Sequence, residues 1–120
     1  MAEYNHYVTL HVRYGDLDPQ GHVNNARYLT FFEQARMDYL IHLGCWDGIH
    51  FLDLNWIVAE ACVTYRLPIR MNQIIRVGLK VSRMGNKSLD FQYEILDQEN
   101  GQTLASGKTA DPAADNLRIT

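Results

Sequence analysis

From Tyr7 to Tyr14 apolar and polar residues alternate one by one, with Val8, Leu10 and Val12 on one side and Thr9, His11 and Arg13 on the other. A period of two is that of a half-buried strand. The same period returns over Asn55 to Leu67, where Ile57, Ala59, Ala61, Val63, Tyr65 and Leu67 oppose Val58, Glu60, Cys62, Thr64 and Arg66 until Pro68 closes the run. It returns again with Ile75, Val77, Leu79 and Val81 opposite Arg76, Gly78, Lys80 and Ser82, ahead of a tight turn at Gly85-Asn86. Leu89, Phe91, Tyr93 and Ile95 alternate with Asp90, Gln92 and Glu94 in a fourth strand, closed by a Gln98 to Gln102 turn. Thr103 to Thr109 predicts a shorter fifth strand, interrupted almost at once by Asp111-Pro112-Ala113-Ala114-Asp115.

Between the first two strands the period changes. Asn24 and Asn25 are good helix N-caps, and from Ala26 to Leu43 there is no Gly or Pro until Gly44, which suits a C-cap. A helix of about 18 residues would span roughly 27 Å. Its apolar side is wide, taking in Tyr28, Leu29, Phe31, Phe32, Ala35, Tyr39, Leu40 and Leu43, with Thr30, Gln34, Asp38 and His42 as a narrow polar stripe. Such a helix is expected to be mostly wrapped by other structure. In the connection from Cys45 to Asp53, Trp46, Ile49 and Phe51 are expected to tuck inward.

One strand, one long helix and four strands in hairpin-like succession predict an α+β domain in which a five-stranded antiparallel sheet curls around the helix. Residues 1–120 are read as one domain, long enough for a real core and too short for a second one. Five strands and one helix cannot cover both faces of the sheet and all its edges. A homo-oligomer is therefore expected, by edge pairing or by burial of helix surface.

Charge narrows the function. With 11 basic and 14 acidic residues the net charge is −3, so there is no broad electropositive footprint and nucleic acid is not an expected partner. The N-terminus lacks the basic-then-apolar layout of a signal peptide, and no run reaches the roughly 18 apolar residues of a membrane span, so a cytoplasmic protein with reduced Cys45 and Cys62 is expected.

Several chemical motifs fail on spacing. Five residues separate Gly101 from Gly107-Lys108-Thr109 where a phosphate loop requires four, and no helix follows. Asn86-Lys87-Ser88 fits a glycosylation acceptor and is read as a plain turn. His6, His11, His22, His42 and His50 show no spacing that sets two ligands on one face, so no metal site is expected.

Tyr14 to Tyr28 is different: Asp16, Asp18, Pro19, Gly21, His22 and two asparagines stand just ahead of the helix. A carboxylate on a stiff turn would face a helix start whose backbone N–H groups are unpaired and partly positive. Those are the parts of an acid or nucleophile beside an oxyanion site.

The residues Asp16-x-Asp18-Pro-x-Gly21-His22-Val23-Asn24-Asn25, then Arg27-Tyr28-Leu29 and Phe32-Glu33-x-Ala35-Arg36, resemble the 4-hydroxybenzoyl-CoA thioesterase-type acyl-CoA thioesterases of the hotdog fold. The likeness runs on through Val63-x-Tyr65-x-x-Pro68 and Arg83-x-Gly85-x-Lys87-Ser88 to Ala105-x-Gly107. It implies a hotdog, a curved antiparallel sheet around one central helix, assembled as a homodimer or homotetramer. It also implies an acyl-CoA substrate, hydrolysed to a carboxylic acid and free coenzyme A with no separate cofactor or metal. Asp18 matches the catalytic carboxylate, as nucleophile or general base. Asn25 matches the position whose backbone N–H polarises the thioester carbonyl.

The remaining candidates have two readings each. His22 contacts substrate or holds the loop. Lys87 and Ser88 resemble the stretch that meets coenzyme A, or belong to a solvated turn, with Arg66 and Arg83 as weaker candidates of the same kind. Tyr28, Phe32 and Trp56 line an acyl pocket or pack the core. Asp16 is expected to brace the loop, and Glu33 to pair with Arg36 along the helix. The alternative function is a non-catalytic hotdog that binds acyl-CoA or an acyl-carrier protein; an enoyl thioester hydratase on the same fold ranks below both.

Overall fold

A computed structural model describes residues 4–44, 60–84 and 88–112. Its strands are β1 (His6–His11), β2 (Glu60–Tyr65), β3 (Ile74–Met84), β4 (Ser88–Asp97) and β5 (Thr103–Pro112), with the helix α1 (Asn25–His42) between β1 and β2. All pair antiparallel in one sheet of order β1-β3-β4-β5-β2, which places β1 and β2 at its two edges. This is the hotdog arrangement of a curved sheet against one helix.

The alternation selects the core as expected. Ile75, Val77, Leu79, Phe91, Tyr93 and Ile95 are buried on the face that meets α1, together with Phe32, Ala35 and Leu40 of the helix. Phe32 stacks on Tyr93 with ring centroids 4.4 Å apart and planes 12° from parallel. That close approach depends on Gly107, directly opposite Tyr93 in the ladder. A Cβ there would run into the Phe32 ring and come within 2.8 Å of the Cys62 carbonyl oxygen.

Three expectations need correction. First, the apolar side of α1 is covered less widely than expected: Leu29, counted on that side, is exposed, as is Ile41, which was not, and the helix keeps an open outer side. Arg36 also belongs to the buried stripe, along with Phe32, Ala35 and Tyr39. Second, Arg36 accordingly turns toward the sheet. Its Nη1 donates to Tyr93 Oη at 3.2 Å, and Tyr93 Oη lies 2.9 Å from Thr109 Oγ1. Among the described residues no ion pair joins it to Glu33, which stays exposed. Third, β5 continues past Thr109 to Pro112, pairing Asp111 with Leu89 and Pro112 with Ser88.

At its other end α1 is tied to β1 by His6, whose Nε2 lies 2.6 Å from Asp38 Oδ2 and whose ring lies over Tyr39 and His42. The helix stops as expected, with Leu43 as C-cap and Gly44 at φ +78°. The parts of the second strand before Glu60, the Cys45 to Asp53 connection and the Gly85-Asn86 turn lie outside the described residues.

Candidate functional site

After β1 the chain makes a short 3-10 turn, Tyr14–Asp16, which Asp16 holds closed. Its side chain is buried, its Oδ2 accepts from the Arg13 backbone N–H at 2.9 Å, and its Oδ1 lies 3.5 Å from the Arg13 guanidinium and 3.9 Å from that of Arg27. The Asp16 carbonyl also accepts from Asn24 N at 2.8 Å, so one residue fixes both the start of the loop and the approach to the helix. That is the bracing role read from its position.

The loop beyond it is pinched between Leu17 and Val23, which form an isolated antiparallel bridge. Asp18 closes the interior of this pinch. Its Oδ1 accepts from Gln20 N at 2.9 Å and His22 N at 3.2 Å, and its carbonyl accepts from Gly21 N at 3.0 Å. Gly21 adopts φ +80°, the left-handed conformation that glycine enters without penalty. Side-chain bonds to Asp18 therefore use one carboxylate oxygen, and Oδ2 meets no donor among the described residues.

The loop then delivers the chain to α1. Asn24 is the N-cap, its side chain accepting from Ala26 N at 3.0 Å. Asn25 follows as the first helical residue, so its N–H belongs to the turn whose amides have no intrahelical acceptor. The dipole of an 18-residue helix places partial positive charge at the same point.

Tyr28, one turn in, is buried against the same loop. Burial pushes its phenol above the usual tyrosine range, as do the neighbouring Tyr65 phenol and the Asp18 charge, while the Ile69 backbone amide pulls the other way. The segment after β2 completes the enclosure: Val23 N donates to Ile69 O at 2.7 Å, and His22 bridges Arg70.

Asp18, His22, Asn25 and Tyr28 are thus gathered at one end of the helix. The bonds found for His22 are made by its backbone, which holds the loop. Lys87 and Trp56 lie outside the described residues. Ser88 opens β4 opposite Pro112, whereas Tyr65 sits in the row Tyr65–Ala105–Ile95. Seven residues of strand, about 23 Å, separate Ser88 from that row. Within one chain Ser88 is not brought to Asp18.

Tyr65 joins the residues gathered at the helix end although its place in an alternating run reads as core-facing. The residue is 47% exposed, its ring stands edge-on to Tyr28 at 4.7 Å between centroids, and its Oη donates to the Asn25 carbonyl at 3.5 Å. Only its place on an edge strand distinguishes it, and pairing order is not written in local periodicity. A groove of about 350 Å³ lined by Tyr4, Lys80, Gln92, Ser106 and Lys108 lies on the opposite face of the sheet and shares none of these residues.

Residues 12–111 match the model of the Thioesterase-like superfamily. The chain belongs to that family. Within the superfamily it is 30% identical over 94 residues to the long-chain acyl-CoA thioesterase FadM of Escherichia coli K12, covering 78% of this chain and 71% of the relative. It is 29% identical to the acyl-CoA thioester hydrolase YbgC of Escherichia coli O6:H1, covering 74% and 67% respectively. Among solved structures, a Thermus thermophilus thioesterase complexed with coenzyme A and Zn superposes with a TM-score of 0.81 at 30% identity, covering 98% of this chain and 85% of the other. The superfamily match includes the whole Asp16 to Tyr28 stretch and all of β2 to β4.

Proposed function

We propose that this protein is an acyl-CoA thioesterase in which Asp18 attacks the thioester, directly or through a water, and the Asn25 backbone N–H stabilises the oxyanion. The observation that carries the reading is the division of labour at Asp18: one oxygen is spent on holding the loop, and the other has no donor from the described residues. A carboxylate fixed in this way is oriented with one oxygen left open, which suits a nucleophile or general base.

Hydrolysis also needs a donor where negative charge develops. The Asn25 amide supplies it, reinforced by the helix dipole, and one such donor is typically worth about 3 to 4 kcal/mol. Because the donor belongs to the backbone, the Asn25 side chain itself carries little of this. Coenzyme A enters as part of the substrate, and the reaction as proposed uses no separate cofactor.

A two-copy site fits this reading. β2 is an edge strand whose residues are mostly exposed, and a second copy paired along it would bury that edge. The same pairing offers a way for Lys87 and Ser88 of one copy to serve the other, since Ser88 lies too far along β4 to reach Asp18 of its own chain.

The deciding experiment measures thiol release from short, long and aryl acyl-CoAs by wild type and Asp18→Asn. Release by wild type and its loss in the variant are expected. Equal rates would remove Asp18 from the mechanism, and saturable acyl-CoA binding with no release would establish a binding protein.

A further inference from the structure

Tyr65 has no part in the reaction just described, yet it touches two of its elements. It is the last residue of β2 and lies on the face of the sheet that meets α1. Its partner across the ladder is Ala105, which is fully buried while Tyr65 itself is not. On the same face Tyr93 is 1% exposed, whereas Tyr65 is 47% exposed beside the buried Tyr28.

What fixes Tyr65 is therefore local and small: one edge-to-face contact with Tyr28, worth about 0.5–1.5 kcal/mol for such a pair, and one long hydrogen bond to the Asn25 carbonyl. An aromatic ring held at both ends of its length and open on one flank presents a flat apolar surface at little entropic cost when that surface is covered. The flank opens beside the helix start, because the hydroxyl reaches Asn25, the residue that carries the proposed oxyanion donor. Beyond Tyr65 the chain runs through the exposed Leu67 to the His22–Arg70 bridge and the exposed Met71.

We propose that Tyr65 is a substrate-contact residue that sets acyl selectivity, its ring packing against the acyl carbons nearest the thioester carbonyl. The inference rests on the thioesterase reading and deepens it. The ring, not the hydroxyl, makes the selection. The hydroxyl only steadies the ring against the first turn of the helix.

The test compares kcat/KM for decanoyl-CoA and benzoyl-CoA in wild type, Tyr65→Phe and Tyr65→Leu. Tyr65→Phe keeps the ratio of the two substrates within about twofold, because the ring remains. Tyr65→Leu moves that ratio by about tenfold or more, the scale on which pocket shape discriminates apolar groups. A merely structural role would lower both values together and leave the ratio unchanged, and that result overturns the inference while leaving the thioesterase reading intact. Should wild type release no thiol, the thioesterase reading fails and the same ratio is read from dissociation constants of the two thioether analogues, S-decyl-CoA and S-phenacyl-CoA. A tenfold shift in Tyr65→Leu then upholds Tyr65 as a contact, and no shift, or no binding, overturns it.

Discussion

Asp18 and His22 hold each other at both ends: the Asp18 N–H donates to the His22 carbonyl at 2.7 Å, while the His22 N–H donates to Asp18 Oδ1 at 3.2 Å. The turn between them therefore keeps its shape with any side chain that can place an acceptor where Oδ1 stands. Asparagine can. Asp18→Asn is expected to fold with an unchanged thermal midpoint and to lose about 10²–10⁴ in kcat, since general-base or nucleophilic power goes while the loop stays. Circular dichroism melting with thiol-release kinetics checks both halves; Asp18→Ala, which removes the acceptor as well, should lose stability in addition.

The Asn25 amide can be deleted without deleting the helix. Proline is favoured at the first helical position, and Asn24 already has the extended backbone, ψ 136°, that a following proline requires. Asn25→Pro is expected to keep the fold and lower kcat by about 10²–10³, and Asn25→Ala to change it by less than about threefold. A steady-state comparison of the two variants isolates the N–H from the side chain. Full activity in Asn25→Pro would remove this amide from the mechanism.

Gly107 sets how closely α1 lies on the sheet. Gly107→Ala places a methyl group into the Phe32 ring and near the Cys62 carbonyl, and is expected to cost about 1–3 kcal/mol of stability by overpacking. Urea unfolding measures it. Combining it with Phe32→Leu should recover part of the loss, because the two changes share one contact and are not additive.

Much of this was legible beforehand. Alternation named the inward residues of β3 and β4 correctly, since those strands are internal to the sheet and each has one face against α1. The Asn24 cap and the Gly44 stop were also plain, being local chemistry. What was not legible depends on neighbours far along the chain. Arg36 reads as a surface partner for Glu33 at helical spacing, whereas in the fold it is buried and reaches Tyr93, which lies 57 residues further along the chain. Tyr65 reads as core, and only the sheet order, which leaves β2 at an edge, opens it to solvent. At the candidate site the loop acids could be singled out from the sequence, while the enclosure by Ile69 and Arg70 could not.

Alkaline pH gives a separate test on the outer face. Tyr4 covers Gly78 together with Tyr7, and its phenol is pushed up to about 12 by burial first and by the charge and hydrogen bond of Glu94 next. A phenol whose proton is held more tightly in the folded state stabilises fully below its unfolded value of 10.0, and that contribution disappears as pH rises through about 12. The urea midpoint should therefore be flat up to about pH 9 and fall above about pH 10, with a shallower fall in Tyr4→Phe. Tyr28, also raised, continues to contribute in that variant, so the slope is reduced and not abolished.

The pinched loop has a consequence in time. Its two ends meet at Leu17 and Val23, but its outer wall is Ile69 and Arg70, contributed by chain that follows β2. Contacts so distant in sequence form late, after local turns and the helix, because closing a long stretch of chain costs entropy before any contact offsets it. A chain emerging from unfolding would regain its helix early and its finished Asp18 turn only when the segment after β2 has docked. The recovery of the site therefore reports long-range docking and not the return of the helix.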